Sequence, residues 1–422
     1  MGKRPYLYDR ASAILDDDFL MLDSPTGGTR SYQVSKLIAS MAAAQAAVLD
    51  DWSQASALIH AGLGSVYFPI GSLVHTPWRD PRTGTDTEWD YLWRVAHHGT
   101  ATLKSGEVVP ALFLHSAYAL PFATQYDADE AFYAAPAGGL PAGTYHIGGG
   151  TGYQKMLANT DYQFTLTQDL PAGGQLKFKA STYSTSPEAT VVCAYASPAA
   201  TTATEECQVT VGSGGTSLGA LVATRTDTVN HVHRHVLGNN RWAESGIRQF
   251  LNSDKAAASW WSAKNAFDRQ PSYAQTTAGF LSGFDEGFVA HIGEVLVKTA
   301  LPTCDGGTSG GTEHDETYDR VFLPSAEQLD WACTWLGVPY GLEGEAWDYW
   351  VRVYGTTPAT MGATHTEFCM SDLSTKSTLR GVFERSAYRG NGSSVAYCYA
   401  SGYLHSHYAN NGYVCAPACC IV

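Results

Sequence analysis

The sequence predicts an α+β multidomain protein in three parts: N-terminal strands followed by a long helix (1–63), a β-rich middle domain (64–224), and a C-terminal domain of short helices and strands (225–422). Three observations carry this expectation. At 422 residues the chain can bury several cores without disulfides or metals. A composition 12% aromatic and only 16% charged, with 42 Gly and 24 Tyr, suits a β-rich, loop-rich protein and excludes a disordered one. Along the chain the apolar spacing also changes from helical to alternating and then to a mixture.

Phe19–Leu22 reads as a short strand, Pro25–Gly28 as a turn, and a second short strand leads into a helix capped by Ser35. In that helix Ile38, Met41, Gln45, Val48, Trp52, Ala55 and Ile59 follow a 3-4 spacing until Gly62 stops it. A single amphipathic helix lying on its own domain satisfies this spacing, and so does a symmetric bundle in which Gln45 fixes register. From Gly64 the stretches SVYFPIGSLV, YQFTLTQDLPAGGQLKFKA and EATVVCAYA read as strands punctuated by Pro-Ala-Gly clusters, with a boundary near Thr224. Beyond it Trp242, Ile247, Phe250 and Leu251 share a helix. Ser325 and Gln328 form a capping box for a second helix, which Gly337 and Pro339 end.

A net charge of −14, from 26 basic and 40 acidic residues, gives no overall attraction to nucleic acid or anionic lipid. Lys3 and Arg4 precede no apolar run of signal-peptide length, and Val108–Ala123 is too short and too interrupted for membrane insertion. Nine scattered cysteines without a CxxC argue against a disulfide framework, so synthesis in a reducing cytoplasm is expected.

The most biased segment is the tail, Tyr388–Val422. It holds 6 of the 24 Tyr, and its last charged residue is Arg389. It lacks Lys, Glu, Gln, Met and Trp, which total 56 of the 422 residues, so about five would be expected in its 35. Such a Tyr, Ser, Asn, Gly and His mixture is that of a paratope, where Tyr supplies rigid contact area and the small polar residues supply adaptable hydrogen bonds. The five missing residues are also those whose codons cannot end in a pyrimidine.

On that bias the tail resembles the variable region of proteins diversified by retroelements, which write adenine-specific copying errors into the end of a target gene. The surrounding segments GNNRWAESGIRQFLN, GFLSGFDEGF, VFLPSAEQL and APACCIV resemble the C-type-lectin-like domain of such proteins over about Val229–Val422. At the front of the chain ILDDDFLMLDSPTGGTRSYQVSKLI is similar to the opening of phage tail-fibre and other virion structural proteins, and GSVYFPIGSLV, WRVAHHGTATLKSGEVVPALFL and LPAGTYHI resemble in general character the β-rich part of diversified proteins from gut phages. The resemblance implies a receptor-binding protein of a phage tail. It would be made in the host cytoplasm and built into the virion, attached to other tail proteins through its N-terminal segment and trimeric, with a host-surface protein or glycan as ligand. It further implies ligand contact by Tyr388, Asn391, Ser393, Tyr397, Tyr399, Tyr403, His405, His407, Tyr408, Asn410, Asn411 and Tyr413. Val395, Val414, Ala416, Pro417, Ala418 and Ile421 would be scaffold. A bacterial surface adhesin with the same variable domain and a tail enzyme that cleaves host glycans are the competing readings.

Catalytic and metal signatures are sparse. His231, His233 and His235 alternate and would share a strand face, a spacing that surface histidines also show. Adjacent His97 and His98 would face opposite ways. Asp305, Glu313, Asp315, Glu316 and Asp319 are oxygen ligands of a calcium-accepting type, but they match no EF-hand spacing and equally describe a solvated acidic loop. Asp90, Glu107 and Asp348 could serve a glycosidase only if two of them were paired in space. The lectin-like fold is shared with formylglycine-generating enzymes, whose activity depends on cysteines. Cys398, Cys415, Cys419 and Cys420 lie in the variable or terminal segment, a poor place for fixed chemistry. No enzymatic activity, cofactor or resident metal is expected.

Overall fold

The computed structural model describes residues 52–148, 160–180, 189–220, 237–355 and 357–422, together with two short strands near the N-terminus. Those strands, β1 (Phe19–Asp23) and β2 (Thr29–Gln33), pair antiparallel where the sequence predicts them. Most of the expected long helix, including Ile38, Met41, Gln45 and Val48, lies outside the described residues. Its end is α1 (Trp52–His60), in which Ala55 and Ile59 are buried and Trp52 packs on Phe288 at 4.7 Å. The seam's last three positions are thus spent inside the same chain. Gly62, at φ 73°, ends the helix: its N–H donates to Ile59 O (2.9 Å) and that of Leu63 to Leu58 O (2.9 Å), the paired closure of a Schellman motif.

The next expected strand is only partly one. Gly64–Tyr67 is a single helical turn, and Pro69 offers no N–H to a ladder, so β3 begins at Leu73 and runs to Arg79. The long β4 (Glu88–Thr102), then β5 (Val108–Ser116) and the short β6 (Thr124–Gln125) follow. Two four-stranded sheets come next, built from β7 (Tyr133–Ala134), β8 (Gly143–Gly148), β9 (Asp161–Leu166), β10 (Gln175–Ala180), β11 (Ala189–Tyr195), β12 (Glu205–Gln208), β13 (Thr210–Val211) and β14 (Thr216–Ser217). Their orders are β12-β11-β10-β7 and β13-β9-β8-β14. In the C-terminal part come α2 (Gly246–Leu251), α3 (Glu286–His291), β15 (Val295–Ala300), β16 (His314–Asp319), β17 (Val321–Phe322) and α4 (Asp348–Tyr354). The chain ends with β18 (Met370–Ser371), β19 (Leu379–Arg380), β20 (Val382–Ala387), β21 (Ser394–Cys398), β22 (Leu404–Tyr408), β23 (Gly412–Cys415) and β24 (Ala418–Ile421).

An α+β fold is therefore what forms, but its cores do not divide at the expected boundary. One sheet has the order β17-β24-β5-β4-β3, so the last strand pairs with residues some three hundred positions earlier (Ile421 opposite Leu112). A second, β22-β21-β20-β23-β6, likewise takes β6 from the front half. The core running through Trp78, Tyr91 and Trp93 continues into Trp242, Phe250, Phe280 and Phe284, while a separate core spans Phe132 to Leu218. Residues 64–126 thus belong with the C-terminal part, and the segment 132–218 is inserted between them. Gln175 bridges the two, its Nε2 donating to Ala266 O (2.8 Å) and Asp268 O (2.9 Å). The boundary at Thr224 itself, with His231, His233 and His235, lies outside the described residues.

Two helix expectations turned out differently. The first forms over Gly246–Leu251, with Ile247, Phe250 and Leu251 buried and Ser245 capping it through Arg248 N–H (3.3 Å), but Trp242 lies ahead of it in a separate 3-10 turn, Trp242–Glu244. The Ser325–Gln328 box forms reciprocally, each backbone N–H meeting the other's side-chain oxygen at 3.0 Å. It caps only one turn, however. Asp330 sits at φ 58° and Trp331 leaves to bridge Ala359, so the chain resumes as a 3-10 turn over Cys333–Leu336 rather than continuing the predicted helix.

Candidate functional site

The tail is mounted on both sides. At its start Arg389, fully buried, donates to the carbonyls of Thr308 (2.5 Å), Gly311 (2.6 Å) and Glu313 (2.5 Å). Asn240 Nδ2 clamps the following turn through the carbonyls of Asn391 (2.8 Å), Ser394 (2.7 Å) and Tyr388 (3.3 Å). At its end β24 lies in the main sheet, with Ala418, Cys419, Cys420 and Ile421 all buried. A polar bolt locks the neighbouring β20 from behind. Buried Arg385 donates to Gln328 Oε1 (2.6 Å), Leu323 O (2.8 Å) and Glu343 O (2.7 Å), and Ser386 Oγ meets the Glu343 carboxylate.

On this mount β21 and β22 form a hairpin, Ser394 facing Tyr408 and Tyr397 facing His405. Tyr399 and Tyr403 fall just outside these two strands, in the connection closed by Tyr399 N–H to Tyr403 O (3.0 Å). Gly402 makes that turn possible. Its φ is 81°, and a Cβ there would press on the backbone of His365.

The expected scaffold residues Val395, Val414, Ala416, Ala418 and Ile421 are buried, as is Pro417. Of the expected contacts, Tyr388, Asn391, Tyr399, Tyr403, His405, His407, Tyr408, Asn410, Asn411 and Tyr413 are half-buried and reachable. Two are not. Tyr397 is 2% exposed and Ser393 6% exposed. Tyr397 is enclosed because it points across the sheet onto Phe383 (5.3 Å) and Tyr413 (4.6 Å), with its hydroxyl over Gly381. Asn391 turns partly inward, accepting from Ser393 N–H (3.0 Å) to shape its own turn.

The reachable rings are not scattered but joined through the enclosed ring of Tyr397. Centroid contacts run from Tyr413 to Tyr397 (4.6 Å), on to Tyr399 (4.7 Å), Tyr403 (5.7 Å) and His405 (5.6 Å), then to Trp335 (4.7 Å) and Tyr388 (5.1 Å). Trp335, 36% exposed and outside the tail, completes this chain. No sequence pattern singles it out, because it reaches the rings only through the fold. At the Tyr413 end a cavity of about 430 Å³ opens, lined by Tyr397, Tyr399 and Tyr413 on the tail side and by Phe122, Leu379 and Arg380 opposite. Arg380 is fixed there by Asp372 (2.8 Å). Such a concave, ring-lined surface with a few placed polar groups suits binding of a small or ring-bearing ligand.

His407 supports the cavity from behind. Its Nδ1 accepts from Tyr408 N–H (2.9 Å) and Asn411 Nδ2 (2.7 Å), which leaves Nε2–H to donate to the Tyr413 hydroxyl (2.9 Å). Burial, and secondarily His405, holds its pKa below the usual histidine value, in keeping with that neutral tautomer. Burial likewise pushes the Tyr399 phenol up.

The chemistry weighed in the sequence is otherwise accounted for. The acidic segment is largely strand β16, and its carboxylates are taken: Asp315 by Arg241 (2.6 Å), Asp319 by Arg248 (2.7 Å) and Glu316 by Lys298 (3.3 Å). Among the described residues no cluster of three or more His, Cys, Asp or Glu is arranged to hold a metal ion. Asp90 lies near the start of β4 and Glu107 in the hairpin beyond its end, facing Leu103, so at ~3.3 Å per residue they are roughly 40 Å apart, against the ~5–10 Å of a glycosidase pair. Asp348 is engaged by His97 Nδ1 (3.0 Å), whose Nε2 meets Glu345 (3.0 Å), while His98 turns the other way to Phe68 O (2.7 Å). All nine cysteines are free thiols, and burial pushes Cys415 and Cys420 up to about 12, which leaves them unreactive. Among the described residues no helix is long and apolar enough to cross a membrane.

Residues 219–422, just under half of the chain, match the model of a family described as a domain of unknown function, DUF6273. That span contains the whole tail and its mount except β3–β6, which come from the front half. No curated protein and no solved structure is matched by the chain.

Proposed function

We propose that the protein is a phage tail receptor-binding protein whose retroelement-diversified, C-type-lectin-like tip holds a host-surface ligand. The observation that carries this reading is the partition of the tail. Its reachable positions are drawn from Tyr, His, Asn and Ser with small Gly and Ala, and its enclosed ones are chiefly Val, Ala, Leu and Cys. A surface that must change its ligand without unfolding needs that division, with rigid aromatic anchors set on a fixed sheet. Binding without bond cleavage is the activity, and no cofactor takes part. The virion is its place of action, with the N-terminal segment joined to other tail proteins and a trimer multiplying weak contacts into avidity.

The test is adsorption. Purified protein should compete with phage for host cells, and the Tyr403→Ala/His405→Ala/Tyr408→Ala variant should lose that competition while its melting temperature stays within a few degrees. Retained competition by the variant, or cleavage of host polysaccharide by the parent protein, would overturn the reading.

A further inference from the structure

Away from the tail, a second cleft gathers positive charge in a protein of net charge −14. It lies between the end of α2, the loop 252–264 and the end of β16, and encloses about 470 Å³. Arg248, Lys255, Lys264 and Arg320 all line it. Elsewhere the described cations mostly meet carboxylates: Arg82 on Asp80, Arg241 on Asp315, Lys298 on Glu316, Arg380 on Asp372. In the cleft only Arg248 is so paired, with Asp319. Lys264 donates to Ser262 Oγ (3.0 Å), and Lys255 and Arg320 are exposed with no carboxylate in range among the described residues.

The carboxylates at the rim do not cancel this charge. Asp319 is consumed by Arg248, Trp242 Nε1 (2.9 Å) and Thr317 Oγ1 (2.7 Å), and Glu294 is held by Lys104 (3.2 Å), which leaves the exposed Asp254. Uncharged groups add donors. Gln249 accepts from Ser262 N–H (2.9 Å), which turns its amide nitrogen to a buried position beside the cleft where no acceptor meets it. Three cations lining one cleft repel one another, and an anion seated among them relieves that repulsion. Donors converging from a helix, a loop and a strand end suit a tetrahedral oxyanion, whose acceptors point in several directions, better than a planar carboxylate.

We infer that this cleft is a binding site for a phosphate- or sulfate-type group, separate from the aromatic tail and independent of the tail's role. Lys255, Lys264 and Arg320 contact the oxyanion, and Arg248, fixed by Asp319, shapes the wall.

Calorimetric titration of the full chain tests it with four probes: inorganic phosphate, inorganic sulfate, dextran sulfate and neutral dextran. Saturable binding of at least one oxyanion is expected, weakened by added salt and at least tenfold weaker in Lys255→Ala/Arg320→Ala. Both side chains are exposed, so that variant keeps its fold, and Lys298→Ala, outside the cleft, should bind as the parent does. Binding of the free ions identifies a small-molecule site, and binding of dextran sulfate alone, with the same loss in the variant, identifies a polymer-borne group. No saturable binding of any charged probe, or equal binding by the double variant, would overturn the inference.

Discussion

Replacing Tyr397 by Ala separates scaffold from contact surface more sharply than any other single change. The ring is 2% exposed and touches Phe383, Tyr399, His407 and Tyr413 at centroid distances of 5.3, 4.7, 5.4 and 4.6 Å. A buried tyrosine withdraws roughly 150–200 Å² from water, so at ~25 cal/mol per Å² its loss removes about 4 kcal/mol, within the ~3–5 kcal/mol typical of aromatic truncations. Allowing for a compact unfolded state, Tyr397→Ala should cost about 3 kcal/mol. Tyr397→Phe keeps the ring and should cost under about 1 kcal/mol. Half-buried His405→Ala should also stay below about 1 kcal/mol, because its ring is stacked at the surface rather than enclosed. Urea unfolding of the three variants measures these differences directly. A loss under 1 kcal/mol for Tyr397→Ala, together with lost host binding, would refute the assignment and make this tyrosine a contact residue.

Three further changes test the mount and the helix stop at Gly62. Burial pushes the Glu384 carboxyl well above its usual range, with Arg385 pulling it back only in part. A carboxyl raised in the folded state contributes its full stability below the unfolded value near 4.5 and loses it as pH climbs through the folded value. Glu384→Gln should therefore raise stability at neutral pH and flatten the fall of the melting temperature as pH rises above about 4.5. Gly62→Ala meets no atom within 4 Å but must hold φ 73°, so a thermal melt should show a loss of about 1 kcal/mol without any steric contribution. Asn240→Ala strips the donor from buried carbonyls in the 388–394 turn and should cost about 2 kcal/mol, with faster hydrogen exchange confined to that turn as the check.

What could be read from the chain was local. Gly62 as a stop, the helical spacing of Ile247, Phe250 and Leu251, the Ser325–Gln328 box and the strands at 19–33 and 189–195 all follow from the chemistry of adjacent residues, and each forms. What escaped depends on distant pairing. Nothing near Leu112 says that Ile421 will lie opposite it, so in the sequence the inserted segment 132–218 looks continuous with residues 64–126. The capping box promised a helix that Trp331 abandons for Ala359, a partner 28 positions on. At the tail the residue types were legible and their depth was not. Tyr397 has the same neighbours in sequence as a surface tyrosine, and it is Gly381 and Phe383, on another strand, that draw it inward.

Under the proposed function the tail's reachable positions are interchangeable and its enclosed ones are not. Sequencing the DNA that encodes it across a phage population, together with the flanking genome, tests this most directly. The account predicts a near-copy of the segment differing at adenines, close to a reverse transcriptase gene. It also predicts substitutions at Tyr388, Tyr399, Tyr403, His405, His407, Tyr408, Asn410, Asn411 and Tyr413, with none at Val395, Leu404, Val414 or Ala416. Substitutions spread evenly over reachable and enclosed positions, or an invariant tail with no template, would contradict it.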